Sequence, residues 1–324
     1  MKIAIIGGSG FVGTSLINKL KEDNNYQVKN LDIAQSKKHH EITSITDIRD
    51  YCSLTKSLAG CDCVVLLAAQ HRDDVSPVSL YYDTNVKGME NALKAMEDNS
   101  IKRLIFYSSV SIYGLNTKNP NEDTVPLPFN HYGKSKWEAE IILNKWKDKN
   151  PDAKITVIRP CVIFGEGNRG NVYNLLAQIE SGRFLMVGSG ENKKSMAYIE
   201  NITGFTKYIL ERQQSNYEVY NYVDKPDLSM NELIRIVNQS LGHKSSHIKI
   251  PYCIGLLGAY CFDILAKILR RKFVVSSIRV KKFCANSQIS SEKMLATGFT
   301  PPYTIEEALK RTINYEWPDE VHSK

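Results

Sequence analysis

The sequence lacks the features that would place it in several large classes. Its seven cysteines, Cys52, Cys61, Cys63, Cys161, Cys253, Cys261 and Cys284, are odd in number, and Cys61-x-Cys63 is not a CxxC pair. They offer neither a disulfide framework nor a zinc spacing, so reduced thiols and a cytoplasmic setting are expected. His39 and His40 adjoin in a polar loop that reads as a solvated turn, and no spaced carboxylate or cysteine completes a metal shell around them. There is no basic stripe interleaved with aromatics and no nucleic-acid motif, which argues against nucleic acid as a partner. The formal net charge of +7 suits a negatively charged substrate or a membrane surface better. Lys2 is followed by only a short apolar run before glycines interrupt it, so no signal peptide is expected. Repeats and low-complexity tails are also missing. What remains is 324 residues, 42% hydrophobic and 24% charged, enough for a large core and two domains.

The chain opens on its most informative stretch. Ile3 to Ile6 form a short buried-strand run, which breaks into glycines and restarts at helical spacing through Phe11, Val12, Leu16, Ile17 and Leu20. Gly7 and Gly10 allow a tight turn and close approach to a pyrophosphate, and Gly13 lets the helix lie close on the strand. The helix start then offers the N–H groups of Phe11, Val12 and Gly13, and its positive dipole end, to phosphate oxygens. A second strand from Val28 ends in Asp32, the acid expected to hold the adenosine ribose. Asp32 would repel a 2′-phosphate, so NAD is favoured over NADP. Asp47 and Ile48 are placed to meet the adenine edge, and a helix cap before Tyr51 is the alternative for Asp47.

Cys63 to Ala69 reads as a buried strand whose end, Leu67, Ala68 and Ala69, is small where a cofactor must pass. The polar loop beyond holds His71, Arg72, Asp73 and Asp74 at the ligand-binding edge; they are expected to face solvent, with substrate contact by His71 or Arg72 as the alternative. Asn85 sits inside the helix from Leu80 to Met96, where an asparagine costs propensity, so its amide is the reason to keep it. The strand from Leu104 to Tyr107 runs into Ser108-Ser109-Val110-Ser111. Further on, Tyr132 and Lys136 are four apart and share one helical face. A nearby ammonium favours a phenolate, so Lys136 can draw down the Tyr132 pKa while holding a ribose, and Ser109 can hydrogen-bond a reacting oxygen. This set moves a proton at an alcohol carbon while a nicotinamide carries the hydride.

Together Gly7-x-x-Gly10-x-x-Gly13, Asp32, Leu67-Ala68-Ala69, Asn85-Val86-x-Gly88, Ser108-Ser109 before Tyr113-Gly114, Tyr132-x-x-x-Lys136 and Arg159-Pro160-x-x-Ile163-Phe164-Gly165 resemble the extended short-chain dehydrogenase/reductase family. More narrowly, the chain resembles its NAD-dependent epimerase/dehydratase branch, which acts on nucleotide sugars. The resemblance implies an α/β Rossmann-type doubly wound parallel sheet with a smaller C-terminal substrate-binding domain. The first domain is expected over 1–165 with a return at 197–224, and the second over 166–196 and 225–318. The resemblance also implies catalysis by Ser109, Tyr132 and Lys136, a homodimer, and Pro160 to Ile163 packed on the nicotinamide. The family's dehydratases carry an aspartate and a glutamate where this chain has Val110 and Ser111, which argues against 4,6-dehydration. Lys194 stands where many relatives have an arginine for the nucleotide diphosphate, and it can pair with phosphate as a point charge.

Ser111, Asn168, Arg169 and Asn174 are further candidates for substrate contact. The expected reaction is hydride transfer at a secondary hydroxyl or ketone of a nucleotide sugar, by an epimerase or a 4-keto-sugar reductase. A 3β-hydroxysteroid-type dehydrogenase and a non-catalytic NAD-binding subunit or redox sensor are the alternatives. Ser229-Met230-Asn231-Glu232 reads as a capping box. Tyr252 to Leu269 is apolar nearly all round and is followed by Arg270, Arg271 and Lys272. Interrupted by Asp263 and Lys267, it is marginal as a spanning helix. A buried helix of the smaller domain, a helix in a membrane interface over 252–272, and a dimer contact are the three readings.

Overall fold

The computed structural model describes residues 1–72, 75–115, 117–212, 215–243, 249–269 and 276–318, so Asp73, Asp74, Arg270, Arg271 and Lys272 lie outside the described residues. In chain order the strands are β1 (Lys2–Ile6), β2 (Gln27–Asp32), β3 (Thr43–Ile45), β4 (Cys63–Leu66), β5 (Arg103–Tyr107), β6 (Lys154–Pro160), β7 (Val162–Phe164), β8 (Met186–Val187), β9 (Lys193–Tyr198), β10 (Tyr217–Tyr222), β11 (Asp224–Ser229) and β12 (Lys249–Ile250). The helices are α1 (Phe11–Lys21), α2 (Tyr51–Leu58), α3 (Ser79–Tyr82), α4 (Gly88–Asp98), α5 (His131–Lys149), α6 (Asn171–Glu180), α7 (Ile199–Glu211), α8 (Met230–Leu241), α9 (Tyr252–Leu269), α10 (Ser277–Cys284), α11 (Glu292–Leu295) and α12 (Ile305–Glu316). They form two compact units.

The first unit comprises Met1–Cys161, Ile199–Val223 and Ser290–Pro302. Its seven strands pair in parallel in the order β10-β6-β5-β4-β1-β2-β3. A parallel sheet covered on both faces needs continuous apolar strands. Ile3 to Ile6 and Cys63 to Leu66 meet this, none more than 2% exposed. The order reverses between β1 and β4, and ligands of doubly wound sheets bind outside the strand ends at such a switch. The expected site residues of this unit gather at that edge. Gly7 follows β1, Asp32 ends β2, Leu67 follows β4, and Ser108 follows β5.

Arg159 on β6 and Glu140 on α5 form a buried two-pronged ion pair at 3.0 and 2.6 Å. Burial opposes the Arg159 charge, yet the Glu140 carboxylate outweighs it and holds the guanidinium above its ordinary range. Arg159 also donates to Tyr113 Oη at 2.7 Å and to the Glu122 carbonyl at 3.1 Å. Tyr113 donates onward to Asn221 Oδ1 at 2.8 Å, tying the β5 loop to β10. His39 is buried rather than solvated as expected: its N–H donates to Ser36 Oγ and its carbonyl accepts from Thr43.

The second unit comprises Val162–Tyr198, Asp224–Ile289 and Tyr303–Lys324. Its sheet has the order β11-β9-β7, with β11 antiparallel and β7 parallel to β9, beside a two-stranded β12-β8 pair. The Ser229/Glu232 capping box forms and starts α8, whose Leu233, Ile234 and Val237 are buried with Leu309 and Ile313 of α12. Of the three readings of Tyr252 to Leu269, the buried helix of the smaller domain is overturned: in α9 only Ala259 is buried.

Removing one partner of a buried, fully hydrogen-bonded ion pair leaves the other charge stranded. Glu140→Ala should therefore lower the unfolding free energy by about 3–5 kcal/mol in urea titration.

Candidate active site

The glycine turn is shaped by what its glycines touch. Gly7 has φ +89°, and a Cβ there would lie 2.5 Å from the Ala68 nitrogen. Gly13 packs against the Gly8 backbone. Gly7 and Gly13 are thus spent on protein packing, Gly7 against the β4 end and Gly13 within the turn itself. Gly10 differs: a Cβ there would meet only the Gly7 carbonyl, at 3.4 Å, and no side chain caps the start of α1. That open, uncapped helix start is a cradle suited to phosphate. Asp32 accepts the Ser9 N–H at 2.9 Å and the Ala34 N–H at 3.0 Å. Those bonds use two of a carboxylate's roughly four acceptor positions, leaving capacity for ribose hydroxyls.

β4 stops at Leu66, three residues before the expected end, because the Ile6 carbonyl accepts from both Leu67 and Ala68 N–H at 2.8 Å and draws the chain away. Asp47 is gripped by the Arg49 guanidinium at 2.6 to 3.0 Å, and the cap of α2 is Asp50, whose carboxylate accepts the Ser53 N–H. The helix-cap alternative for Asp47 is thereby corrected. Ile48 is buried against Gly88.

Asn85 lies in a π-helical turn over Asp83–Lys87, which interrupts the single helix expected there. Such turns re-aim a side chain. Its amide accepts the Gln70 N–H at 2.8 Å and donates to the Gln70 carbonyl at 3.0 Å and to Ser135 Oγ at 2.8 Å. Ser135 in turn donates to the Tyr132 carbonyl at 2.9 Å. Asn85 thus links the loop after β4 to the helix turn carrying Tyr132.

Ser109, Tyr132 and Lys136 are brought together at the end of β5 and the start of α5. Ser109 Oγ accepts the Ser111 N–H and donates to Ser111 Oγ, both at 3.1 Å. Asn130 caps α5 by accepting the Gly133 N–H at 2.8 Å. A Cβ on Gly133 would lie 2.5 Å from the Ser111 carbonyl, so only glycine lets the serine turn rest against the turn carrying Tyr132. Sequence reasoning missed Gly133; its signal was a poor helix former in the first turn of a helix.

Lys136 is buried, donates to the Tyr107 carbonyl at 2.8 Å and lies 4.8 Å from the Phe106 ring centre. Burial draws its pKa down to about 7, with Glu140 pushing back. Burial also raises the half-buried Tyr132, and a hydrogen bond with Ser109 pulls the other way. The Tyr132 shift therefore runs opposite to that expected from a neighbouring ammonium, because desolvation dominates.

Of the candidates of the second unit, Asn168, Arg169 and Lys194 are engaged within it. Asn168 donates to the Ile163 carbonyl at 3.0 Å and accepts the Gly170 N–H at 2.7 Å. Arg169 pairs with Glu316 at 2.7 Å and lies over Tyr173, which stacks on Trp317. Asn174 is exposed on the first turn of α6. Lys194 donates to the Lys282 and Ala285 carbonyls at 2.9 and 2.6 Å, and burial brings its pKa down to about 8. Its ammonium serves the end of α10, where an anion contact was expected. Glu316, which also accepts the Gly167 N–H at 2.8 Å, gave no sequence signal.

The profile of the NAD dependent epimerase/dehydratase family matches residues 3–222. The chain is 56% identical over 323 residues to the N-acetyl-alpha-D-glucosaminyl-diphospho-ditrans,octacis-undecaprenol 4-epimerase of Escherichia coli O157:H7, covering 99% of this chain and 96% of that one. It is 27% identical over 321 residues to a UDP-glucose 4-epimerase of Vibrio cholerae, covering 96% and 94%. In fold it is similar to the UDP-glucose 4-epimerase of Thermotoga maritima solved with UDP-glucose, with a TM-score of 0.77 at 23% identity and 98% of each chain covered.

Gly133→Ala should leave the protein folded yet lower kcat by about 100-fold, the cost of an ångström-scale misplacement of reacting groups. Lys136 also sets a pH dependence of stability. Folded, it releases its proton at about 7 rather than its ordinary 10.5. Between those values the unfolded chain binds more protons, so its contribution to stability rises with pH. Lys136→Met removes that rise, and its Tm relative to the wild type should be higher at pH 6 than at pH 9.

Proposed function

The chain belongs to the NAD-dependent epimerase/dehydratase family, and from that premise we propose that it inverts C4 of an N-acetylhexosamine carried on a polyprenyl diphosphate. The convergence of Ser109, Tyr132 and Lys136 at one strand end, beside an open helix start and Asp32, is the observation that carries the reaction. The substrate reading is supported by the 56% identity to the E. coli epimerase, whose name specifies such a lipid-linked sugar. The sugar reaches the enzyme through a diphosphate in this reading as in the nucleotide-sugar expectation; the carrier differs. It places the reaction at a bilayer surface.

NAD, when bound, takes up and returns the hydride. Gly10 and the N–H groups of Phe11, Val12 and Gly13 would hold its diphosphate, Asp32 would hold its ribose, and Asp47 and Ile48 would border its adenine. Leu67, Ala68 and Ala69 would leave room for it, and Pro160 and Ile163 are the residues the family resemblance would put near the nicotinamide. Asn85, expected among the cofactor-binding residues, ties the loop after β4 to the start of α5 beside that site. Tyr132 takes the proton from the C4 hydroxyl and gives it back after the sugar has turned its other face. Ser109, held by Ser111, orients that oxygen. Lys136, buried and near neutrality in its proton affinity, responds to charge arriving beside it. Val110 and Ser111 supply no acid and base for water loss, so the reaction ends at inversion.

Tyr132→Phe should cut kcat by about 100- to 10,000-fold while retaining NAD. Turnover of N-acetylglucosaminyl diphosphoundecaprenol without turnover of UDP-N-acetylglucosamine is the expected substrate pattern. The reverse pattern would return the chain to the nucleotide sugars.

A further inference from the structure

α9 is the helix, among the described residues, that is long and apolar enough to cross a membrane by length and composition, and only 6% of it is buried. Its geometry argues for a different placement. Gly255, Ala259 and Asp263 are four apart and form one stripe. Gly255 closes onto Val187, Ala259 is buried, and Asp263 accepts the Ser277 N–H at 3.2 Å. That stripe faces the protein. The opposite side carries Ile254, Leu257, Ile264 and Ile268, exposed at 60, 67, 59 and 70%, with Cys261 exposed among them. No charged side chain falls on that outer stripe; Asp263 is turned inward and Lys267 lies at the flank.

A helix of 18 residues spans about 27 Å, at the lower end of what crosses an apolar thickness of about 30 Å, so length alone does not choose between the two placements. Spanning would strip Gly255 from Val187 and Asp263 from Ser277. Lying in the interface plane keeps both contacts and buries the outer stripe.

We infer that α9 is an in-plane anchor that seats the second unit on an anionic lipid surface, its outer stripe of Ile254, Leu257, Ile264 and Ile268 entering the acyl boundary. Charge selects this occupant. Lys267, with Arg279, Lys281 and Lys282 of α10, gives the anchor a cationic margin in a chain of net charge +7. A second copy meeting the same face would set like charge against like, since a two-fold contact joins a patch to itself. The inference deepens the lipid-carrier reading and rests on it for a reason to be at the bilayer.

The test uses the full chain, without substrate, and phosphatidylcholine vesicles with or without phosphatidylglycerol. The wild type should sediment with the anionic vesicles. Maleimide labelling of Cys253 and Cys261 should slow by at least about tenfold there, while exposed Cys52 on α2 keeps its rate. Leu257→Glu combined with Ile264→Glu and Ile268→Glu, all on exposed positions, should lower vesicle partitioning by at least about 100-fold. A wild type that stays in the supernatant, unchanged thiol rates, or a triple variant that binds like the wild type would each overturn the inference. Thiol protection that grows with protein concentration in the absence of vesicles would overturn it in favour of a second copy. The substrate reading fails separately. Turnover of the lipid-linked sugar in detergent without vesicle binding sinks the anchor alone, and vesicle binding without that turnover sinks the substrate alone.

Discussion

Backbone resting on backbone, where any side chain would intervene, is the constraint on which the site depends. Gly133 lets the first turn of α5 meet the Ser111 carbonyl, and Gly7 lets the turn after β1 meet the Ala68 nitrogen. The first contact sets Tyr132 beside Ser109; the second holds the glycine turn on the end of β4. Both lie at the carboxyl edge of a parallel sheet, where strand ends diverge and leave room for a ligand. The Arg159–Glu140 pair ties α5 to β6 about two turns further along the same helix face. The helix carrying Tyr132 and Lys136 is therefore fixed at two points along one face, as a reaction sensitive to small displacements requires.

Much of this site is legible because its parts are local in sequence. Strand, glycines and helix lie within one short stretch at the start of the chain, and Tyr132 and Lys136 share a helix face whatever the fold around them. The contacts that align those parts are tertiary and carry no such signature. Asn85 was noticed as a misfit in a helix, but its partner Ser135 is fifty residues away. Gly133 looks like an ordinary weak helix former until the Ser111 carbonyl is seen against it. Pattern also misjudged partners: Asp50 rather than Asp47 caps α2, and Lys194 is drawn to the carbonyls ending α10. Each of these local choices depended on a neighbour that spacing alone does not reveal.

The second unit was read less completely for the same reason. Its capping box is local and formed as expected. Asn168 and Arg169 looked like substrate ligands because they sit in a glycine-rich loop, but Glu316, at the far end of the chain, holds that loop and its arginine. The apolar composition of α9 pointed equally to a core, an interface or a partner. Only the placement of Gly255, Ala259 and Asp263 on one side tells which face belongs to the protein and which is left for something else.

The central claim is that this edge of the sheet separates proton from hydride at C4 of the sugar, with Tyr132 handling the proton. The most direct measurement follows a lipid-diphosphate-linked N-acetylglucosamine bearing deuterium at C4, incubated in ordinary water. The account predicts an inverted product that keeps its deuterium, because the hydride never meets solvent. Inversion with loss of the label to water would mean that the carbon-bound hydrogen leaves as a proton, and would contradict the account.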